Sequence, residues 1–124
     1  MQQRILLVED DYQLRAALAQ HFTKQGFRVD CAGEREEAEA LMSCIDYTLL
    51  ITDLGLTPFG LNGFDVLEFT WNRYPRPKIV VLTGKGNAAV ESEAKVRGVD
   101  VFLTKPQSLK CISEVVQKLL GTAQ

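Results

Sequence analysis

The sequence predicts an α/β fold in which helices cover both faces of a parallel β-sheet. Short apolar runs alternate five times with stretches of helical periodicity along the 124 residues. Most of these runs are apolar on consecutive positions, which is typical of strands that are covered on both faces. Strands that alternate with helices form parallel sheets through right-handed crossovers. The length suits one domain, which we expect over residues 1–124.

Each element has a local signal in the sequence. Three acids end the first strand abruptly, and Asp10 or Asp11 can cap the helix that follows. Asn87 can cap the fourth helix in the same way, and Gly26 and Gly98 occupy the usual position after a helix. The strands are expected over residues 5–8, 27–32, 49–51, 78–82 and 99–103, and the helices over 12–25, 34–42, 64–72, 88–97 and 109–120.

Two elements differ from the rest in their apolar content. The second strand alternates apolar and polar side chains, which predicts a wetter face and a place at the edge of the sheet. The fourth helix has few large apolar residues, Val90 and Val96, so we expect it to be loosely held. We expect Trp71 and Tyr74 to pack the third helix rather than to bind a ligand.

Composition excludes several classes of function. The formal net charge is -2, with 46% hydrophobic and 24% charged residues, which argues against nucleic-acid binding through this segment. The three cysteines have no CxxC spacing, so we expect reduced thiols in a cytoplasmic protein rather than a disulfide framework or a zinc site. No apolar run approaches the roughly 20 residues that span a bilayer, and the amino-terminal apolar run is too short for a signal peptide. We therefore expect no membrane association.

Chemically active side chains follow four of the five predicted strands. Glu9 and Asp10 come after the first strand, Asp53 after the third, Thr83 at the end of the fourth and Lys105 after the fifth. The carboxyl ends of parallel strands meet at one edge of a sheet, and ligands of open α/β sheets bind there. We therefore expect these five side chains to converge.

The residue types in this group favour phosphoryl transfer. Three carboxylates that lie close together need a counter-charge, and a set of oxygen ligands at an exposed site suits Mg²⁺. Lys105 supplies a second positive charge that can contact Asp53, and Thr83 supplies a hydroxyl donor. Asp53 can act as the nucleophile, while the cations and the hydroxyl stabilise the phosphoryl oxygens.

The order and spacing of four motifs resemble the receiver domain of two-component response regulators. Asp53 follows Asp10 by 43 residues, Thr83 follows after 30 more and Lys105 after a further 22. The resemblance covers essentially the whole chain and implies a flavodoxin-like (βα)5 three-layer sandwich. Its strand order, 2-1-3-4-5, is that of a known receiver and is not worked out from these residues. The motifs are LVEDD at 7–11, ITDL at 51–54, VLTG at 81–84 and FLTKP at 102–106.

The resemblance implies a phosphorylation site and a magnesium site. Asp53 is similar to the phosphoacceptor of the family. Asp10 resembles the direct metal ligand, and Glu9 resembles its water-mediated companion. Gly55 lies where the family uses a backbone carbonyl as a further metal ligand.

The resemblance also implies a conformational switch. Thr83 is similar to the switch hydroxyl, Lys105 to the phosphate-binding lysine and Phe102 to the switch aromatic residue, although Phe102 fits a simple core aromatic equally well. The Lys105–Pro106 peptide resembles the cis junction of the family. A histidine kinase or phosphotransfer protein would phosphorylate Asp53, and the surface of the fourth helix, fifth strand and fifth helix would change. An output domain, a partner or a second copy would bind that surface.

Two loops depart from the family pattern. The loop after Asp53 is two residues longer than the common spacing to its glycine, which places that glycine at Gly63. Gly84 and Gly86 flank Lys85, where Ala or Ser commonly follows the threonine. Gly84 opens space beside the phosphoryl site, so we expect an altered lifetime of the aspartyl phosphate.

We expect a signalling domain that is not an enzyme, although it assists the transfer of a phosphoryl group to its own Asp53. Two alternatives to this interpretation remain. A phosphatase or phosphotransferase that forms an aspartyl phosphate needs a second acid two residues after its nucleophile, but Gly55 is there. A pseudo-receiver that only binds proteins would not need the intact set of Asp10, Asp53, Thr83 and Lys105. A P-loop nucleotide site is excluded because its motif does not occur.

Overall fold

The chain folds into a five-stranded sheet between two layers of helices. The computed structural model describes residues 2–55, 63–84 and 86–121. Within these ranges, no helix has both the length and the apolar character needed to cross a bilayer. The strands are β1 (Arg4–Val8), β2 (Arg28–Ala32), β3 (Leu49–Thr52), β4 (Lys78–Thr83) and β5 (Val101–Thr104), and the helices are α1 (Tyr12–Lys24), α2 (Arg35–Cys44), α3 (Gly63–Trp71), α4 (Ala88–Val96) and α5 (Leu109–Leu120).

The sheet is parallel throughout, and its strand order is β2-β1-β3-β4-β5. The expected α/β class, the flavodoxin-like three-layer form and the implied strand order are confirmed. The β2 strand lies at one edge, as its alternating pattern predicts, and β5 lies at the other. All of β3 and all but the first residue of β1 are buried, as expected for apolar runs at the centre of a sheet.

Alternate residues of the central strands belong to two hydrophobic cores, one on each face of the sheet. On one face, Leu6 and Leu50 pack with side chains of α2, α3 and α4. On the other face, Ile5 and Ile51 pack with α1 and α5, including the fully buried Phe22. Because close packing on both faces fixes β1 and β3, the residues that follow them are presented from rigid supports.

The polar residue that caps α1 is Asp11. Its carboxylate accepts hydrogen bonds from the backbone N–H groups of Gln13, at 3.0 Å, and Leu14, at 3.2 Å. This satisfies two of the backbone donors that the first turn of a helix leaves unpaired. Asp10, the other candidate cap, has an exposed side chain beside the end of β1.

The two helices that flank β5 differ in how much they bury. Ala94 is the buried residue of α4, and Val96 in the same helix is 84% exposed. In α5, by contrast, Ile112, Ser113 and Val116 are buried. The expectation that α4 is lightly held agrees with this difference in burial.

Two local expectations need correction. Tyr74 is 84% exposed and does not pack against α3, because it lies in the turn beyond the end of that helix. Trp71, by contrast, packs α3 as expected: although it is 44% exposed, its ring lies against Gly98, whose φ of +96° and closeness to the ring leave no room for a side chain. The fifth strand begins at Val101 rather than at residue 99, because the N–H of Val99 donates to the carbonyl of Ala94 in the last turn of α4.

Candidate functional site

The expected group of polar residues lies at the carboxyl edge of the sheet, and backbone hydrogen bonds between strands hold it there. The N–H of Asp53 donates to the carbonyl of Val8 at 3.0 Å, which extends the β1–β3 pairing by one residue. The N–H of Lys105 donates to the carbonyl of Thr83 at 2.9 Å, which extends the β4–β5 pairing in the same way. The side chains of Asp53 and Lys105 therefore start from fixed backbone positions.

Asp53 is a nearly buried carboxylate with a donor on each oxygen. It is 8% exposed. Its Oδ2 accepts a hydrogen bond from Nζ of Lys105 at 3.0 Å, and its Oδ1 accepts one from the N–H of Gly55 at 3.1 Å. Gly55 has a φ of +51°, a conformation that a residue without Cβ adopts at little cost. The predicted contact between Lys105 and Asp53 is present, whereas the donor from Gly55 was not anticipated.

Lys105 also pairs with Glu9, which the sequence analysis missed. Nζ of Lys105 lies 2.9 Å from Oε1 of Glu9, and Oε2 of Glu9 accepts the N–H of Asp11 at 3.0 Å. Glu9 is only 2% exposed. One ammonium group thus bridges two buried carboxylates that come from different strands. No spacing in the sequence shows that the glutamate side chain reaches the lysine.

Burial and pairing shift the proton equilibria of both partners. Burial raises the pKa of Glu9, and the hydrogen bond from Lys105 offsets only part of that effect. For Lys105, burial is the largest single influence and favours the neutral amine, but the hydrogen bonds to Glu9 and Asp53 and the negative charges of these two groups together outweigh it, so the pKa is raised. Lys105 therefore keeps its positive charge at neutral pH.

The three acids at this edge have the geometry of a metal-binding group. Glu9, Asp10 and Asp53 each offer one carboxylate oxygen, and these oxygens lie within 4.8 Å of one another. Oxygen ligands suit a hard cation such as Mg²⁺ or Ca²⁺. Asp10 is the exposed member, so the group is open to solvent on its side. These residues could therefore hold a metal ion.

The predicted switch residues, Thr83 and Phe102, lie on β4 and β5. Thr83 is fully buried at the end of β4, opposite Thr104 in the pairing with β5. Phe102 is half-buried and packs against the core that α2, α3 and α4 cover. A Cβ on Gly86 would lie 3.0 Å from Cε1 of Phe102, so this glycine allows the loop after β4 to approach the ring. The Lys105–Pro106 peptide is cis, as the resemblance implies.

The two loops that depart from the family pattern are partly described. Gly63 opens α3, and its N–H donates to the carbonyl of Leu54 at 2.8 Å. Leu54 lies so close that a side chain at position 63 would collide with its backbone. Among the described residues, the nearest atom to a Cβ on Gly84 would be Cδ of Lys105, at 4.0 Å, so these residues leave space beside Gly84. The rest of the long loop, residues 56–62, and Lys85 lie outside the described residues.

Comparison with known families identifies one match over most of the chain. The family model described as the response regulator receiver domain matches residues 5–117. The matched range begins at the second residue of β1 and ends in α5, so it contains the other four strands in full and every residue of the site.

Individual relatives agree with this match. The transcriptional regulatory protein PmrA of Pectobacterium parmentieri is 33% identical over 98% of this chain. The photosynthetic apparatus regulatory protein RegA of Cereibacter sphaeroides is 33% identical over 97% of this chain. The chain spans 54% of the length of the first and 62% of the second. The structure of the non-phosphorylated HemR receiver domain from Leptospira biflexa is 29% identical and superposes with a TM-score of 0.88, covering 99% of this chain and 98% of that one.

Proposed function

The chain belongs to the response regulator receiver domain family, whose members act in phosphorylation-dependent signalling, and from this premise we propose that Asp53 accepts the phosphoryl group. The observation that supports this most directly is the pair of donors on its carboxylate, Nζ of Lys105 and the N–H of Gly55. They orient the carboxylate at the end of a rigid strand. Each carboxylate oxygen keeps a second lone pair, so an oxygen remains able to attack.

We propose that Glu9, Asp10 and Asp53, together with the backbone carbonyl of Gly55, hold Mg²⁺ at this site. The cluster of three carboxylate oxygens supports this, because it is charged, made of oxygen only and open on the side of Asp10. When bound, the ion supplies positive charge that stabilises the oxygens of the transferring phosphoryl group.

In the proposed reaction, an oxygen of Asp53 attacks the phosphorus of a phosphohistidine on a sensor histidine kinase or a phosphotransfer protein. The new bond joins this oxygen to phosphorus, and the phosphorus–nitrogen bond of the donor breaks. The imidazole leaves with the electron pair of that bond and takes up a proton. Lys105 stays protonated and pairs with the developing negative charge on the phosphoryl oxygens.

The phosphoryl group then acts on Thr83 and Phe102. The Thr83 hydroxyl moves to donate to a phosphoryl oxygen, and Phe102 fills the space that opens beside it. The light packing of α4 supports a movement on this side, since Ala94 is its buried residue. The altered surface of α4, β5 and α5 controls an output domain, a partner or a second copy of the chain.

The proposal also covers the extent, location and activity of the domain. The domain spans residues 1–124, works in the cytoplasm and has no enzymatic activity on other substrates.

A phosphorylation assay with two matched variants tests the proposal. The protein is incubated with Mg²⁺ and acetyl phosphate and its intact mass is measured. The unsubstituted chain is expected to gain one phosphoryl group, and Asp53→Asn none. Asp46→Asn removes an exposed carboxylate that pairs with Arg73, at 3.8 Å, and is expected to be modified normally. Absence of the modification in the unsubstituted protein, or its persistence in Asp53→Asn, would rule out the proposed role of Asp53.

A further inference from the structure

Arg15 on α1 reaches back to the loop that carries the proposed metal ligands. Its Nη1 donates to the backbone carbonyl of Glu9 at 2.9 Å. Its guanidinium also lies 5.6 Å from the ring centroid of Tyr12. On the other side of the same residue, the N–H of Glu9 donates to the carbonyl of Ala32 in β2 at 3.0 Å. The backbone of Glu9 is therefore held from two elements.

The carbonyl that Arg15 holds belongs to the peptide unit between Glu9 and Asp10. That unit is planar, so fixing its oxygen also fixes the direction in which the chain enters Asp10. The Asp10 side chain is exposed, and within the described residues no hydrogen bond holds its carboxylate. The position of this carboxylate therefore depends on the backbone that precedes it.

Gly33, just after β2, leaves the space that the guanidinium occupies. A Cβ at this position would lie 2.7 Å from Nη1 of Arg15, which is closer than real contacts allow. Its other nearest neighbours would be at ordinary distances, 3.6 Å from Oε1 of Glu37 and 3.8 Å from Cζ of Arg15. An alanine at position 33 would therefore displace the flexible end of one side chain and leave the backbone undisturbed.

We infer that Arg15 is a positioning residue for the metal site, and that Gly33 is the residue that gives it room. Arg15 holds the Glu9–Asp10 peptide in the orientation that presents Asp10 beside Glu9 and Asp53. This rests on the proposed function, since it assumes that these acids bind Mg²⁺. The inference adds a residue that is not itself a metal ligand. Loss of a group that orients metal ligands typically changes the metal affinity by about tenfold or more.

The charge of Arg15 and its contact with the Glu9 carbonyl predict opposite effects on Mg²⁺ affinity when Arg15 is removed. A cation near a metal site repels the metal, so loss of its charge alone would tighten Mg²⁺ binding. Loss of a positioning contact would weaken it. Gly33→Ala separates the two effects, because it displaces the guanidinium from the carbonyl and keeps the charge on the protein.

The test measures the Kd of Mg²⁺ for the full chain by isothermal titration calorimetry. Arg15→Ala and Gly33→Ala are each expected to weaken binding by about tenfold. The double variant is expected to match Arg15→Ala, because Gly33→Ala acts through Arg15. Arg73→Ala, which removes an arginine that pairs with Asp46 instead, is the matched control and is expected to leave the Kd unchanged.

A second measurement does not depend on metal. The N–H of Asp10 belongs to the peptide unit that Arg15 holds, so its ¹⁵N order parameter in the metal-free protein is expected to fall in Arg15→Ala and in Gly33→Ala. Unchanged or tighter Mg²⁺ binding in either variant overturns the inference and leaves the proposed function intact. Failure of the unsubstituted protein to bind Mg²⁺ overturns the proposed metal site, and this inference with it.

Discussion

Charged side chains form pairs at the carboxyl edge and at the amino edge of the sheet, but their charges are balanced differently. At the carboxyl edge, one ammonium group on Lys105 pairs with both Glu9 and Asp53, and Asp10 adds a third carboxylate. Negative charge is in excess there, and burial raises the pKa of Glu9. A further cation would therefore stabilise this group of carboxylates.

At the amino edge, where β1 and β3 begin, a tyrosine and an arginine share one carboxylate, and Nε of the arginine, Arg4, is buried without a hydrogen-bond partner among the described residues. The hydroxyl of Tyr47 donates to Oδ2 of Asp30 at 2.7 Å, and Arg4 lies 3.4 Å from the same oxygen. Here one carboxylate has one cation and one neutral donor, and Tyr47 is only 5% exposed. The comparison indicates that the single carboxylate at the amino edge is matched by one cation, whereas the carboxyl edge keeps more negative charge than Lys105 balances, as the proposed Mg²⁺ site requires.

The largest effect on stability is expected from a substitution that breaks the charge pairing at the carboxyl edge. Lys105→Met leaves Glu9 and Asp53 buried without their cation, so we expect the metal-free protein to lose about 3 kcal/mol of unfolding free energy at neutral pH. The loss is expected to shrink in acid, because the raised pKa of Glu9 lets this carboxylate become neutral at a higher pH than an ordinary glutamate does. Urea unfolding at several pH values measures both effects.

A surface lysine provides the control for this variant. Lys95 pairs with Glu91 at 3.8 Å, and both side chains are about half exposed. Lys95→Met is therefore expected to cost less than about 0.5 kcal/mol. An equal cost for the two substitutions would contradict the contrast between a buried and an exposed ion pair.

A smaller effect is expected at the amino edge. Tyr47→Phe removes a hydrogen bond to a charged acceptor and is expected to cost about 1.5 kcal/mol at neutral pH. Burial, and then the bond to Asp30, raise the pKa of Tyr47 above its ordinary value of about 10. The Tyr47 hydroxyl therefore makes its full contribution to stability below about pH 10. That contribution is lost as the pH rises further, because Tyr47 ionises at a lower pH in the unfolded chain than in the folded one.

Chemical denaturation across the alkaline range distinguishes the two forms. The unsubstituted protein is expected to lose more stability above about pH 10 than Tyr47→Phe does. Tyr12→Phe, at a side chain that is 70% exposed, is the control and should follow the unsubstituted curve. Parallel curves for the unsubstituted protein and Tyr47→Phe would show that the phenol does not titrate as proposed.

The smallest effect on stability is expected from Gly84→Ala. The added methyl group would meet Cδ of Lys105 at 4.0 Å, an ordinary contact, so the change in unfolding free energy should stay within about 0.5 kcal/mol. The phosphorylated form, however, is expected to survive several-fold longer, because the methyl group excludes water from the space beside Asp53. Loss of phosphate over time, followed by intact mass, measures the lifetime, and an unchanged lifetime would contradict the hypothesis.

Sequence patterns predicted the elements because periodicity reports burial within one element. Consecutive apolar residues in β1 and β3 predicted central strands, and the alternation in β2 predicted an edge. The start of α1 was left open between two acids, and geometry assigned the cap to Asp11. The exposure of Tyr74 was predicted wrongly, because its burial depends on where the turn after α3 runs.

By itself, the sequence determined the fold class, the family and the residues that meet at the carboxyl edge, including Asp53 and Lys105. The fold class and the converging residues follow from strand ends, which local patterns mark and a parallel sheet brings together, whereas the family follows from a resemblance in the order and spacing of four motifs. Only the tertiary structure decided which groups touch: Lys105 bridges Glu9 and Asp53, and Arg15 enters the space beside Gly33 to hold the Glu9 carbonyl. The physical reason is that contacts between elements depend on differences of about an ångström in side-chain reach, which spacing along the chain does not encode.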